Sequence, residues 1–308
     1  YARHFENSPL AAGVALVVQG GTGWTQEDMR VNPQLGGGRD DMSAMFTVIK
    51  LAPALAWEVN KRLSLGVTLG INYLAANEEV FPNTSCSNCL FGQDFSGFSF
   101  QNASGTTFTT KWGLQYRPGG DTVIGVTYGT KADITLKDGY LKYNLSNAGL
   151  GKVRYDNADL HGMGLPQEFA IGIAFRPIEK LLVSLQAKRY QWSQAMDILS
   201  LKASKPDNAS APTTLSMPMP FEARDQNVIG IGTAYDYDVS YTIYAGFNRA
   251  NRFLPERNLS PAFAHIIQEH YTLGLARRFD KKWQAAAGLE YYPLKSVTYN
   301  SPIFGADS

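Results

Sequence analysis

Leu63-Ser64-Leu65-Gly66-Val67-Thr68-Leu69-Gly70-Ile71-Asn72-Tyr73-Leu74 alternates with a period of two. Leu63, Leu65, Val67, Leu69, Ile71 and Tyr73 occupy one face of an extended chain; Ser64, Gly66, Thr68, Gly70, Asn72 and Leu74 occupy the other. That period is the signature of a β-strand with one apolar face. The opposite face is small and polar rather than a solvated mixture of charges. Such a strand suits an inverted barrel, whose apolar side chains meet lipid and whose polar ones line a lumen.

The same reading extends outward to about eleven strands: 11–19, 46–58, 62–74, 107–117, 122–134, 167–176, 180–192, 227–237, 240–249, 269–279 and 283–293. Five connections are tight: 59–61, 118–121, 177–179, 238–239 and 280–282. They are rich in Gly, Pro, Asn, Asp and Lys, as hairpin turns are. The other five, near 20–45, 75–106, 135–166, 193–226 and 250–268, are long. Short and long alternate without exception. An all-β, transmembrane, antiparallel up-and-down β-barrel has this asymmetry, with turns on one side of the membrane and long loops on the other.

The faces agree from strand to strand. Phe169, Ile171, Ile173 and Phe175 oppose Glu168, Ala170, Gly172, Ala174 and Arg176. A Lys facing lipid at mid-depth costs about 2–4 kcal/mol. Lys50, Lys111, Glu168, Arg176, Arg278 and Glu290 are therefore expected in the lumen, where the cations could meet a carboxylate or pair with Glu58, Glu168 and Glu290. Trp57, Tyr116, Phe175, Tyr235, Phe279 and Trp283 recur beside the tight turns, as an interfacial aromatic girdle does. One strand departs: Lys188 and Arg189 are adjacent, and Tyr190 and Trp192 fall on lumen parity. Either a bulge shifts the register there, or the strand has left the membrane.

Composition supports and limits this reading. The chain has 308 residues and a net charge of +1, which gives no basis for a nucleic-acid partner. Mean hydropathy is −0.21, and no run approaches the roughly 20 apolar residues of a membrane helix. Cys86 and Cys89 stand alone in a polar loop; we read them as a local disulfide, with free thiols as the alternative and metal binding disfavoured for want of a second ligand pair.

No catalytic set is visible and no cofactor is expected. His265 and His270 bracket Glu269 at a spacing that does not share a helical face, so they do not form a His-Glu-x-x-His zinc site. Gly20-Gly21 and Gly36-Gly37-Gly38 lack the Lys-Ser/Thr of a phosphate loop. The long loops carry unusual apolar content: Trp24, Met29, Leu35 and Met42, then Phe81, Leu90, Phe91, Phe95 and Phe98. Exposed apolar patches mark binding surfaces; loop self-packing is the alternative.

Several runs, in order, resemble the FadL/TodX family of outer-membrane channels for hydrophobic compounds. They lie at 12–21, 50–56, 63–66, 165–172, Trp192-Ser193 and 270–274. The resemblance implies a fourteen-stranded barrel plugged by an N-terminal hatch. About eleven of those strands are expected here, in a single barrel domain over 1–308 that lacks the hatch, the first strands and the last. It implies a passive, monomeric channel in the bacterial outer membrane, surrounded by lipid and lipopolysaccharide. It implies a long-chain fatty acid or aromatic hydrocarbon as ligand. It assigns the nine loop residues above to an outer capture groove. It also places a kink at Gln19, Gly20 and Gly21 that opens the wall sideways; an ordinary strand-to-loop transition is the alternative. A general porin, and a structural or adhesive barrel serving as a surface receptor, are the competing functions.

Overall fold

A computed structural model describes residues 1–260, 266–280 and 283–297. Sixteen strands are present among them. In chain order they are β1 (Ala2–His4), β2 (Leu10–Arg30), β3 (Arg39–Asn60), β4 (Leu63–Leu90), β5 (Gln93–Gly119), β6 (Thr122–Gly129), β7 (Ala132–Asn144) and β8 (Lys152–Leu165). Then come β9 (Gln167–Ile178), β10 (Leu181–Gln191), β11 (Ile198–Pro206), β12 (Thr214–Pro220), β13 (Gln226–Asp236), β14 (Tyr241–Ala250), β15 (Glu269–Arg278) and β16 (Gln284–Tyr291).

The wall runs β1-β2-β3-β4-β5-β6-β9-β10-β13-β14-β15-β16, antiparallel at every step. After the short β1, these are the eleven strands expected from periodicity. Short turns join them at one end. In the first, the Asn60 side chain accepts hydrogen bonds from the amides of Arg62 and Leu63, at 2.9 and 3.0 Å. The last expected turn, 280–282, lies partly outside the described residues, and His265 lies wholly outside them.

Side-chain exposure follows the inverted rule. Leu65, Ile171 and Leu273 are 37%, 55% and 58% exposed on the outer surface of the wall, and Trp57, Trp112, Leu185 and Ile229 share that surface. These residues do not converge on a dry centre. The wall is apolar outside because its surroundings are apolar there.

The long connections are not loops in the main. β2 continues to Arg30 and β4 to Leu90, and β5 begins at Gln93, so the segments expected as loops at 20–45 and 75–106 are mostly hairpin extensions. The segments at 135–166 and 193–226 contain β7, β8, β11 and β12. These pair β5-β7-β8-β11-β12 as a branch off the wall. β5 serves both layers: residues 111–119 pair with β6, and residues 98–104 with β7. Strict alternation is lost in these extensions because residues with positive φ interrupt them, among them Phe81, Asn88 and Asn102. Each shifts the parity of the residues beyond it.

Within the extensions the ordinary rule of water-soluble proteins returns. On β4 the inner face reads Ser64, Gly66, Thr68, Gly70 and Asn72, then Leu74, Ala76 and Val80. Leu74, Ala76 and Val80 are buried. The face is the same; its chemistry changes near Leu74. One core joins Val48, Leu74 and Phe100 to Leu136, Leu141, Tyr155 and Leu201. A second joins Met29, Val31, Leu35, Met42, Val80, Phe81 and Phe95.

The departure at 180–192 also resolves. β10 pairs with β9 and β13 without a register break from Val183 through Tyr190; the only irregularity lies between Leu181 and Val183. There is no bulge at Lys188-Arg189. The strand ends at Gln191 and a short 3-10 turn begins at Trp192.

Candidate functional site

The site is a cavity of about 460 Å³ at the level where the inner face changes from polar to apolar. Phe46, Val48, Leu74, Met163, Leu165, Met196, Phe221 and Phe253 give it apolar surface. Trp192 also lines it and stacks on Phe253, with ring centroids 4.9 Å apart. Lys50, Lys111, Glu168, Tyr190 and Gln226 supply its polar side, and Gln19, Gly20 and Gly21 line it from β2. Two groups of residues picked from sequence on separate grounds, the kink and part of the lumen charge, thus share one cavity.

The charges are placed by register. Lys111 pairs with Gly129 on β6, and Gly129 pairs with Glu168 on β9. Because Gly129 has no side chain, Glu168 reaches across it, and its Oε1 lies 2.5 Å from Lys111 Nζ. Lys50 lies on β3 opposite Asn72. Its chain crosses Gly70, where an added Cβ would stand 2.6 Å from Lys50 Cε. The other expected lumen charges lie elsewhere. Arg176 and Arg278 line a separate cavity near the tight turns, with Arg176 3.6 Å from Asp236. Glu290 is exposed on β16, where it accepts a hydrogen bond from Tyr292.

β2 is irregular where it meets the cavity. Val18 pairs with Ile49 and Gly20 with Val48, leaving Gln19 unmatched in a bulge. Such a bulge bends the strand. β1 covers β2 only at Ala11, Ala12 and Gly13, so among the described residues β2 beyond Val14 pairs with β3 alone.

The nine apolar loop residues do not form an open groove in this conformation. Met29, Leu35, Met42, Phe81 and Phe95 are buried together in the second core, with Trp24, Leu90 and Phe98 packed against it; only Phe91 is exposed. The hairpin extensions bring these residues onto one inner face, so they satisfy each other. The disulfide between Cys86 and Cys89 lies beside them. Asp40 anchors the same region. Its buried carboxylate accepts hydrogen bonds from the amide and side chain of Asn83, both 2.8 Å, and from Thr84 Oγ1 at 2.7 Å.

Sequence reasoning missed most of the apolar lining. Met163, Met196, Phe221 and Phe253 lie in segments that read as loops, and only the alternation within β8 could have flagged the first of them. Among the described residues, no three His, Cys, Asp or Glu side chains gather to hold a metal.

Residues 1–307 match the family model for outer membrane protein transport proteins, OMPP1/FadL/TodX. No curated protein matches the chain in sequence. Among solved structures, the Ralstonia pickettii toluene transporter TbuX is similar, with a TM-score of 0.67 and 18% identity over 93% of this chain and 73% of that one. The Pseudomonas putida toluene transporter TodX gives 0.69 and 18%, over 92% and 73%. A Pseudomonas aeruginosa FadL homologue gives 0.69 and 16%, over 97% and 71%.

Proposed function

We propose that this chain, which belongs to the OMPP1/FadL/TodX family of outer-membrane transport proteins, is a channel for passive uptake of hydrophobic small molecules with sideways release through the wall. It is an integral β-barrel of the bacterial outer membrane, and its family is one of transporters. The observation that carries the finer reading is the cavity: an apolar-lined chamber whose edge is the bulged stretch at Gln19, Gly20 and Gly21. A ligand leaving there would pass from an apolar chamber toward lipid without crossing water, so the hydrophobic effect opposes neither step.

Capture belongs to this reading as its first step. Phe91 at the tip of the β4–β5 hairpin offers first contact, and Trp24, Leu90 and Phe98 at the margin of the second core are the surface a ligand would reach next. Met29, Leu35, Met42, Phe81 and Phe95 would take part only if that core opens. Aromatic hydrocarbons, the class of the toluene named for TbuX and TodX, suit the chamber, and so do long-chain fatty acids. A general porin is the weaker reading, because so much of the chamber is apolar.

Growth of a deletion strain on oleate and on toluene as sole carbon sources, with and without the full-length gene, tests the proposal. Restored growth on either supports it. Growth unaffected by the deletion on both rejects it.

A further inference from the structure

We infer that the cavity beyond the outer ends of β13 and β14 holds the phosphorylated headgroup of an outer-leaflet lipid, gripped by Arg224, Arg252 and Arg257. The cavity is about 670 Å³ and has no lining residue in common with the chamber. That volume suits a sugar-sized or larger ligand rather than a bare ion. The three arginines, Asn251, Gln268 and Glu256 supply its polar lining.

Strand pairing brings the first two arginines together. β13 begins at Gln226 and β14 ends at Ala250, and their chains stay side by side beyond those points. The Arg224 amide donates to the Phe253 carbonyl at 2.7 Å, and Asn251 Nδ2 donates to the Asp225 carbonyl at 2.9 Å. Arg257 follows on the 3-10 turn Glu256–Asn258.

The acids around the cavity are already matched. Asp225 meets Arg189 at 2.8 Å, and Glu269 lies 3.9 Å from Arg249. Glu256 holds one nitrogen of Arg252, and Glu222 one of Arg257. Residues 261–265, Pro-Ala-Phe-Ala-His, add no acid. Arg224 is exposed and is left without a carboxylate among the described residues. A guanidinium carries five N–H donors, so Arg252 and Arg257 keep donors beyond those their carboxylates take. Three forks with one charge unmatched suit a phosphate monoester, which presents three acceptor oxygens and takes paired N–H bonds from arginine.

Position in the wall names the source of that phosphate. The outer face of β14 reads Ile243, Ala245, Phe247 and then Arg249. Ile243 is 40% exposed, and Phe247 packs on Tyr271 with ring centroids 4.9 Å apart. The cavity begins at Asn251, two residues past this change from apolar to charged. It therefore stands at the level where hydrocarbon gives way to headgroups. The opposite ends of β13 and β14 meet in the tight turn at 238–239, so this is the long-connection side, which faces the cell exterior. Basic pockets at a membrane surface take anionic headgroups by the same electrostatics.

The test is a titration by native mass spectrometry of the purified protein in non-ionic detergent. The probes are diphosphoryl lipid A, lipid A stripped of its phosphates, and inorganic phosphate. The wild type should bind the diphosphoryl form about tenfold more tightly than the stripped one, on the scale of one charge-assisted contact. Arg224→Gln, which breaks no ion pair within the protein, should cut that ratio several-fold, and adding Arg252→Gln should bring it to about one. Lys61→Gln, in a tight turn at the opposite end of the barrel, should leave it unchanged. Equal wild-type affinity for the two lipids, a ratio unaffected by Arg224→Gln, or an equal loss in Lys61→Gln would overturn the inference. Inorganic phosphate displacing lipid A at equal concentration would overturn the lipid assignment. Should the double variant not fold, Arg224→Gln alone still decides. None of these outcomes bears on the channel reading, because the two sites have no residue in common.

Discussion

Glu168 reaches Lys111 across a residue that has no side chain: Gly129 sits between them in register, and their charged atoms meet at 2.5 Å. The pair depends on that gap. Gly129→Ala should push the Glu168 side chain aside and separate the charges, since the new Cβ would lie 2.5 Å from Glu168 Cγ. Overpacking of this kind typically costs about 1–3 kcal/mol. Urea-induced unfolding in lipid vesicles measures it, and an unchanged midpoint would show that the bay is not needed.

Neighbouring residues of β10 test the inverted wall. Leu185 is 43% exposed on the outer surface, while the Gln186 side chain lies across Gly230 on the opposite, small-residue face. Leu185→Lys should destabilise the folded barrel in bilayers by about 2–4 kcal/mol, as a lysine at mid-depth does. Gln186→Lys should cost far less. Equal losses would mean that the two faces meet similar surroundings.

Glu78 gives the outer extension a pH dependence. It lies beyond the membrane-spanning part of β4, opposite Ala44 and Phe100, and burial pushes its carboxyl up to about 7 from 4.5. The folded state therefore holds this proton more tightly than the unfolded chain between those values. The stabilisation is complete below about 4.5 and is lost as pH rises through about 7. Glu78→Gln, uncharged throughout, should gain stability over the wild type on going from pH 4 to pH 8, by about 1–3 kcal/mol. Thermal unfolding at several pH values checks this; parallel curves for the two proteins would contradict it.

The spanning strands are readable from sequence because lipid and lumen impose opposite chemistry on alternate residues. Leu65 and Gly66, or Ile171 and Gly172, cannot trade places without cost. Beyond the membrane both constraints relax. Phe81 and Asn102 adopt positive φ and break the alternation, so parts of β4 and β5 read as loop where they are strand. The self-packing of Met29, Met42 and Phe81 is equally hidden. A greasy residue in an apparent loop reads as a binding surface until the hairpin that buries it is known. Gln19, Gly20 and Gly21 are visible for a simpler reason: paired glycines at the end of an apolar run weaken a strand wherever they occur. Their place beside Lys50 and Phe46 comes only from the pairing of β2 with β3.

Ligand exit through the wall at that bulge is the central claim. Gly20 is the cleanest handle, because an added Cβ there meets nothing within 4 Å and should not disturb folding. Uptake of labelled oleate by cells carrying Gly20→Val should fall about tenfold or more on the scale of a barrier raised by about 1.4 kcal/mol, with the barrel still folded by its heat-dependent gel mobility. Combining it with Gly21→Val should deepen the loss. Uptake at the wild-type rate by a folded Gly20→Val, Gly21→Val protein would contradict the account.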